Sequence, residues 1–339
     1  AMTSFFKGRY EKAESYYLKV FDQLEGTGED EFIYHVKFPL AVTYLCLAQW
    51  EKAAALYSEI IEISETQNTQ ANYRRHYPFL PYTHSCTHLG YIRALQGHIE
   101  EGKKLVDKGH TPNLESIANL PSKAYCTLWH STLSALIGEN YGALTRAEKV
   151  VEIAEKTDSP FLCFLGYTAK GNALMGSELY KEACGFYEEA LEVIKGTEHR
   201  RYLASVYYHL IRSYLELGDI RKAEQYYQDG FPFVELNPAL DAPRFDFVRA
   251  RLLASSSFPD FEQSENFFEK SIQSDENSSA IVPAAQSRYY LAQGLFRKGD
   301  VEQSRLLLKE IREKFQIWGI PVWKRKCELM LKKFEQGRN

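Results

Sequence analysis

The sequence predicts an all-α protein: a right-handed α-α superhelix of about seven and a half helix pairs that ends in a capping helix. The first observation is an internal period of about 40 residues, which is typical of stacked structural repeats. The second is a small residue in each copy, followed four positions later by an aromatic or aliphatic residue. The third is the scarcity of alternating β-branched runs, which leaves little sign of strands.

The period is clearest when the small residue of each copy is aligned. A small side chain lets two helix backbones approach, and the larger residue four positions later fills the groove beside it. The small residues lie 40 or 41 positions apart, with one interval of 49: Ala13, Ala53, Gly102, Ala143, Ala183, Ala223, Ser264 and Ser304. The larger residues are Tyr17, Tyr57, Tyr187, Tyr227, Phe268 and Leu308.

These copies predict one repeat domain over residues 1–339, divided into eight units and a final helix. Each helix pair leaves one apolar face bare, and the next pair must cover it, so the units should share one continuous core. The approximate bounds are 5–30, 33–66, 80–110, 121–157, 160–196, 199–235, 241–275 and 280–317, with the capping helix at 320–335.

The first unit contains only a second helix, because GRYEKAESYYLKVF at residues 8–21 begins with the turn that joins a pair. The sequence therefore suggests a fragment of a larger protein. A helix without its partner should expose apolar surface, and exposed apolar patches often bind another chain. We predict self-association through this N-terminal helix, at Tyr16 and Val20.

The composition argues against several classes of function. A net charge of -4 and a pI near 6.2 argue against a dominant nucleic-acid surface. No apolar run approaches the roughly 18 residues of a membrane span, and the first residues do not read as a signal peptide. The six cysteines are scattered, as expected of free thiols in a reducing compartment. These features predict a cytoplasmic protein with no membrane partner.

The repeat pattern resembles that of tetratricopeptide repeats: Tyr or Leu, Gly and Tyr in the first helix, then Gly-Asp-Tyr/Ile, Ala, Tyr and Ala. Its period exceeds the roughly 34 residues of a standard unit. Stretches such as FLGYTAKGNALMGSELYKEACGFYEEALEVI and YHLIRSYLELGDIRKAEQYY are similar to a narrower class over about residues 120–335. That class comprises the C-terminal arrays of multidomain signalling ATPases, including those fused to class III adenylyl cyclases and the MalT-like regulators. The resemblance implies a sensor or partner-binding arm that works with upstream effector domains.

One stretch imitates a phosphate-binding loop, since GHIEEGKK at residues 97–104 has the spacing G-x-x-x-x-G-K. The motif also needs a Ser or Thr next, to hold magnesium, and a strand before it. Here Lys104 follows Lys103, and a helix precedes the stretch. We therefore expect Gly97 to be a repeat turn and Gly102 a packing residue.

A second stretch, HYPFLPYTHSCTHLGY at residues 76–91, places His84 and His88 one helical turn apart with Cys86 between them. Zinc would need both histidines and two further ligands. Cys86 projects from another side of the helix, and the sequence offers no acidic or thiol partner nearby. We expect two polar histidines on a solvated face.

The remaining charged residues indicate surfaces rather than chemistry. Glu182 and Glu188 belong to exposed helix faces that also carry Lys. The C-terminal helix from Trp323 to Phe334 carries five basic residues, which we interpret as a polar cap on the last repeat. We predict no catalytic residue, cofactor or metal.

The predicted binding surface is the concave side, which the first helix of each pair lines in tetratricopeptide arrays. In unit six, Tyr208 and Arg212 lie off the packing stripe. Tyr and Arg are enriched at the energetic centres of interfaces, and arginines on adjacent units would suit a carboxylate. The matching positions in other units are Tyr91, Leu128, Thr132, Thr168, Asn172, Arg249, Tyr289 and Gln293.

Three hypotheses for function follow. The first is a non-catalytic regulatory or scaffold module that binds a protein or peptide. The second is a sensor that holds a small ligand or peptide pheromone inside the superhelix, as the resemblance to regulators implies. The third and most remote is a nucleotide-binding enzyme.

Overall fold

The computed structural model describes residues 1, 4–5, 8–24, 30–66, 80–110, 120–139 and 142–336. Within these residues the chain forms sixteen α-helices of at least eleven residues, and no strand. None of the described helices combines the length and the apolarity needed to cross a bilayer. The predicted all-α superhelix is confirmed.

The helices follow one another in pairs along the chain. In order, they are α1 Tyr10–Leu24, α2 Asp30–Cys46, α3 Trp50–Thr66, α4 Pro81–Leu95, α5 Ile99–Gly109, α6 Leu120–Ile137, α7 Ala143–Ala154, α8 Pro160–Gly176, α9 Tyr180–Lys195, α10 Leu203–Glu216, α11 Ile220–Gly230, α12 Pro238–Ser255, α13 Phe261–Asn277, α14 Ile281–Lys298, α15 Val301–Ile317 and α16 Pro321–Gln336. Short 3-10 helices at Arg200–Tyr202 and Phe231–Leu236 precede α10 and α12. Even-numbered helices form an inner layer around a central lumen, and odd-numbered helices form an outer layer.

The turn inside each pair depends on one backbone conformation. Glycine adopts a positive φ without steric cost, whereas other residues adopt it at about 1–2 kcal/mol. Ala48 and Glu178 nevertheless take it, with φ of 53° and 60°. Pro259 occupies this place in unit seven, where its ring fixes φ at a negative value. In the other seven units a residue with positive φ lies five positions before the small packing residue: Gly8, Ala48, Gly97, Gly138, Glu178, Gly218 and Gly299.

The two layers meet at the small residues that define the period. All eight are buried, and so are the six larger residues four positions later, which confirms their predicted packing role. A Cβ atom on Gly102 would lie 2.6 Å from the carbonyl oxygen of Gly90, so α4 and α5 touch through their backbones. In units seven and eight the hydroxyls of Ser264 and Ser304 donate to carbonyls of the inner helix, at 2.8 and 2.6 Å.

The stretch that imitates a phosphate-binding loop is part of this packing. Gly97 forms the turn with φ of 84°, and Gly102 packs against α4, as predicted. The ammonium of Lys103 lies 2.9 Å from Glu139 and 3.3 Å from Glu100. This lysine is therefore engaged in one ion pair within its own helix and one with the next unit.

The superhelix turns far enough for its C-terminal units to contact units three to five. Helix α14 contacts α4, and the Gln286 amide donates to the Leu136 carbonyl at 2.6 Å. The Trp323 indole of α16 donates to the same carbonyl at 3.3 Å, and Lys326 pairs with Glu178 at 2.8 Å. The C-terminal helix thus covers the last repeat and also joins it to units four and five, which the sequence did not predict.

Helix α1 has one covered end and one exposed face. Tyr16 and Val20 are 40% and 41% exposed, as expected of a helix with a bare apolar face. Near its start, the Arg201 guanidinium lies 5.0 Å from the centre of the Phe5 ring, so the chain start contacts unit six. Self-association through Tyr16 and Val20 stays a prediction, and sedimentation of a Val20→Lys variant against the unchanged chain would test it.

Candidate functional site

The inner layer encloses a cavity of about 490 Å³, which we call the lumen. Residues from α2, α4, α6, α8, α10, α12 and α14 line it, and α1 and α16 contribute at the edges. The lumen exists because the superhelix closes: α14 and α16 complete a wall that the earlier units leave open. Its lining divides into an aromatic part and a charged part.

The aromatic part centres on α4 and α6. His88 contacts the Trp129 ring at a centroid distance of 4.7 Å, and Tyr91 contacts the same ring at 4.9 Å. The His88 ring nitrogen Nδ1 lies 2.9 Å from the Tyr57 hydroxyl, which fixes the imidazole from the outer layer. Aromatic walls of this type bury apolar ligand groups and still offer polar edges.

The prediction that His84 and His88 lie on a solvated face is wrong. They are 3% and 4% exposed, because aromatic rings of the neighbouring helices surround them. His84 contacts Phe38 and Tyr125, and His88 contacts Tyr57 and Trp129. Burial lowers the pKa of His84 to about 3 and lowers the pKa of His88 well below its usual range, so both imidazoles are neutral at pH 7. Burial also raises the pKa of the Cys86 thiol to about 12. In the described ranges, no three His, Cys, Asp or Glu residues are grouped as a metal site would require.

A signal for this burial was present in the sequence of α4. The helix PYTHSCTHLGYIRAL carries hydroxyls, histidines and a cysteine, but its only charged side chain is Arg93. A helix face exposed to water usually carries charges. The missing charge was therefore an indication that this polar face meets protein or a ligand.

Polar residues continue across α6, α8 and α10. The Asn172 amide donates to the Thr132 hydroxyl at 3.0 Å and accepts from the Tyr187 hydroxyl at 2.7 Å. The Tyr187 ring stacks on His209 with the two planes 11° apart. These bonds hold the inner wall rigid between units four and six.

The charged part lies on α10, α12 and the end of α13. The Tyr208 ring lies between two guanidiniums, with Arg212 at 5.4 Å and Arg244 at 5.7 Å from its centre. Arg244 donates to Asp241 at 3.2 Å. Burial raises the pKa of Asp241 to about 6 and that of Asp275 to about 7, and Arg244 opposes both shifts.

The structure brings five of the eight predicted site residues together. Tyr91, Thr168, Asn172, Tyr208 and Arg212 all line the lumen. Leu128 and Thr132, from the same predicted register, line it as well.

The other three predicted residues lie elsewhere. Tyr289 and Gln293 line a separate pocket of about 230 Å³. Arg249 turns towards α11 and pairs with Glu224 at 3.0 Å. The register rotates along the array, since α14 presents Gln286 and its neighbours to the lumen instead. A superhelix twists successive units, so one register carried from unit six fails in units seven and eight.

The fold and the lumen together define an α-solenoid of helix pairs that encloses a cavity of ligand size. The tetratricopeptide repeat family matches residues 164–235. No curated protein sequence matches the chain significantly. A solved structure of a Rap protein complexed with Competence and Sporulation Factor is 14% identical, with 99% of this chain and 96% of that chain covered and a TM-score of 0.59. A Signal Transduction ATPase with Numerous Domains from Pyrococcus horikoshii, which has a tetratricopeptide repeat sensor, is 17% identical, with 93% of this chain and 46% of that chain covered and a TM-score of 0.48.

The resemblance to tetratricopeptide repeats that the sequence predicted is confirmed. Tetratricopeptide repeats are present from α8 to the end of α11, where units five and six lie. The Rap likeness extends over nearly the whole chain and concerns the fold.

Proposed function

We propose that this chain is a non-catalytic regulatory module that holds a short peptide in its lumen, as the sensor arm of a cytoplasmic signalling protein. The observation that carries the proposal is the cavity of about 490 Å³ inside the inner layer, within the range of about 300–1,000 Å³ typical of ligand sites. Its lining is mostly aromatic and aliphatic, with a few convergent polar groups, as such sites require.

Closure of the superhelix favours a ligand inside the lumen over a folded protein on the concave face. The contacts of α14 with α4, and of Trp323 with Leu136, bring the C-terminal helices against the inner layer and so narrow the space available to a folded partner. An extended peptide of a few residues needs a much smaller opening. Protein partners, including effector domains, would then bind to the outer layer or to the two ends of the array.

The lumen is also placed so that a bound ligand would stabilise one shape of the superhelix. Tyr91 belongs to unit three and Arg244 to unit seven, yet the positive charge of Arg244 opposes the rise that burial causes in the pKa of the Tyr91 hydroxyl. A ligand that touches both units would favour the closed superhelix over an open one. The Rap protein of similar fold was solved in complex with a factor, which supports an occupied state for such a fold.

The experiment is an affinity selection with a random hexapeptide library bearing free termini, on the purified chain. Ala135→Trp fills the lumen without removing a hydrogen bond, because Ala135 lines the cavity. Ala55→Trp on exposed α3 surface adds the same ring outside it. Selected peptides should bind the unchanged chain and Ala55→Trp alike, and bind Ala135→Trp at least about tenfold more weakly, equivalent to about 1.4 kcal/mol.

Two results would contradict the proposal. One is a selection that yields no peptide. The other is a set of peptides that bind Ala135→Trp as tightly as the unchanged chain, since this would place their site outside the lumen. Thermal melts of both variants would verify that each is folded.

A further inference from the structure

Arg212 is a lumen cation without a hydrogen-bonded or ion-paired partner, although the charge of nearby Glu216 stabilises its protonated form. Its guanidinium forms no hydrogen bond or ion pair within the described part of the chain, and its Nε atom is shielded from water. The neighbouring inner-layer arginines differ: Arg244 pairs with Asp241 at 3.2 Å, and Arg251 pairs with Glu216 at 3.0 Å. A half-buried cation with no partner is costly, and a ligand anion would offset that cost.

The residues around Arg212 cannot supply this partner. Glu216, one turn further along α10, already accepts hydrogen bonds from the Tyr290 hydroxyl at 2.6 Å and from Arg251. Tyr208 contacts the guanidinium through the face of its ring. Stacking of this kind leaves the edge of a guanidinium open for two parallel hydrogen bonds.

Other lumen groups point to the same type of ligand. The Thr168 hydroxyl is buried without a partner, although its side chain lines the cavity. The indole N–H groups of Trp50 and Trp129 also line the lumen without an acceptor. Asn237 contributes an unpaired acceptor, Oδ1. Among these groups donors predominate, so the ligand should supply oxygen acceptors, as a peptide backbone does.

The acidic residues of the lumen do not cancel its positive charge. Asp241 is committed to Arg244, and burial raises the pKa of Asp275 to about 7, so that its carboxyl is partly neutral at physiological pH. The region around Arg212 therefore favours an anion.

We infer that the lumen recognises its peptide through a carboxylate that binds the Arg212 guanidinium, while Thr168 and Trp129 donate to other oxygens of the ligand. This inference rests on the proposed function and adds the chemical class of the occupant. The carboxylate belongs either to the C-terminus of the peptide or to an Asp or Glu side chain.

The test uses the selected hexapeptides and a matched pair of protein variants. Arg212→Met removes the charge in the lumen, and Arg249→Met removes an arginine that pairs with Glu224 outside it. Arg212→Met should weaken peptide binding at least about 30-fold, because a charged partner is lost at a desolvated site. Arg249→Met should leave binding unchanged. The free Arg212→Met protein should melt at no lower temperature, since it loses a charge that had no partner.

A second arm uses the unchanged chain, so it does not depend on how a variant folds. Each peptide is compared with its C-terminal amide and with versions in which Asp and Glu become Asn and Gln. Loss of affinity with the amide assigns the carboxylate to the terminus, and loss with the side-chain changes assigns it to Asp or Glu. In either case the same ligand change should cost little in Arg212→Met, because the partner is already absent.

The inference is overturned if peptides bind but neither neutralisation nor Arg212→Met weakens them. In that outcome the proposed function stands, and recognition is apolar. A selection without any peptide contradicts the proposed function itself, which separates the two failures.

Discussion

Helices α4 and α5 form one pair, yet they differ in how much of their surface is covered. In α4 every residue except Arg93 is buried. In α5 the buried residues are Ile99, Gly102, Val106 and Gly109, which form a single stripe facing the partner helix. Helix α4 is covered by α5, by its neighbours α3 and α6 and, across the lumen, by α14. Packing within a pair thus explains the outer layer, whereas closure of the superhelix explains the inner layer.

The largest expected effect tests the stripe of the outer layer. On α3, Ala53 has no exposed surface, and Ala55, two residues later, is exposed. Ala53→Leu should lower the free energy of unfolding by about 1–3 kcal/mol, because the added atoms overpack the interface between layers. Ala55→Leu should change it by no more than about 0.5 kcal/mol. Urea denaturation of both variants would measure the unfolding free energy. Equal losses in the two variants would contradict the distinction between the buried and the exposed face of α3.

The second prediction tests the burial of the inner layer through pH. The pKa of His84 is about 3 in the folded chain and 6.5 when exposed. Between these values the unfolded chain binds a proton that the folded chain does not, so acid removes stability. The slope is at most about 1.4 kcal/mol per pH unit. The unfolding free energy of the unchanged chain, relative to His84→Gln, should fall as the pH drops below 6.5.

A matched control for this pH series is the exposed His98 in the turn before α5. Because the His98 side chain is exposed in the folded chain, His98→Gln measures the effect of losing an imidazole that is not buried. Carboxyls such as Asp275 are common to all three proteins, so their contribution cancels in each difference. A flat difference for His84→Gln would indicate that water reaches α4 and that the superhelix is open in solution.

The third prediction tests closure directly. Trp323→Phe keeps an aromatic ring against Phe315 but removes the hydrogen bond to the Leu136 carbonyl. The expected loss in unfolding free energy is about 1 kcal/mol, with faster amide hydrogen exchange at the end of α6. Leu329→Ala, at a side chain of the same helix that is 51% exposed, should not alter that exchange. Unchanged exchange in Trp323→Phe would show that this contact does not hold the ends together.

The smallest expected effect concerns an ion pair of the outer layer. On α9, Lys195 lies 3.1 Å from Glu192, and these side chains are 46% and 75% exposed. Glu192→Gln should lower the unfolding free energy by less than about 0.5 kcal/mol, because water and salt screen exposed pairs. A thermal melt with a loss above about 1 kcal/mol would mean that the outer face is covered by something other than solvent.

The outer layer could be predicted closely because its determinants are local. The period of the small residues and the partner four positions later follow from helix geometry, and residues such as Ala53 and Tyr57 are buried where that geometry puts them. Tyr208 and Arg212 were predicted on the concave side from that geometry together with the tetratricopeptide resemblance, and both line the lumen. Arg249 does not line the lumen, because each unit is rotated relative to the one before it. The total rotation over several units cannot be derived from the sequence of any single unit.

The sequence alone determined the all-α repeat, the pairing of its helices and the small residues on which they pack, since each depends on contacts within about 40 residues. Only the tertiary structure decided that the C-terminal units reach the middle of the array, through Gln286 and Trp323 on one carbonyl of α6. These two bonds join residues 150 and 187 positions apart, beyond the reach of any local pattern. They complete the wall of the lumen, which Arg212 lines.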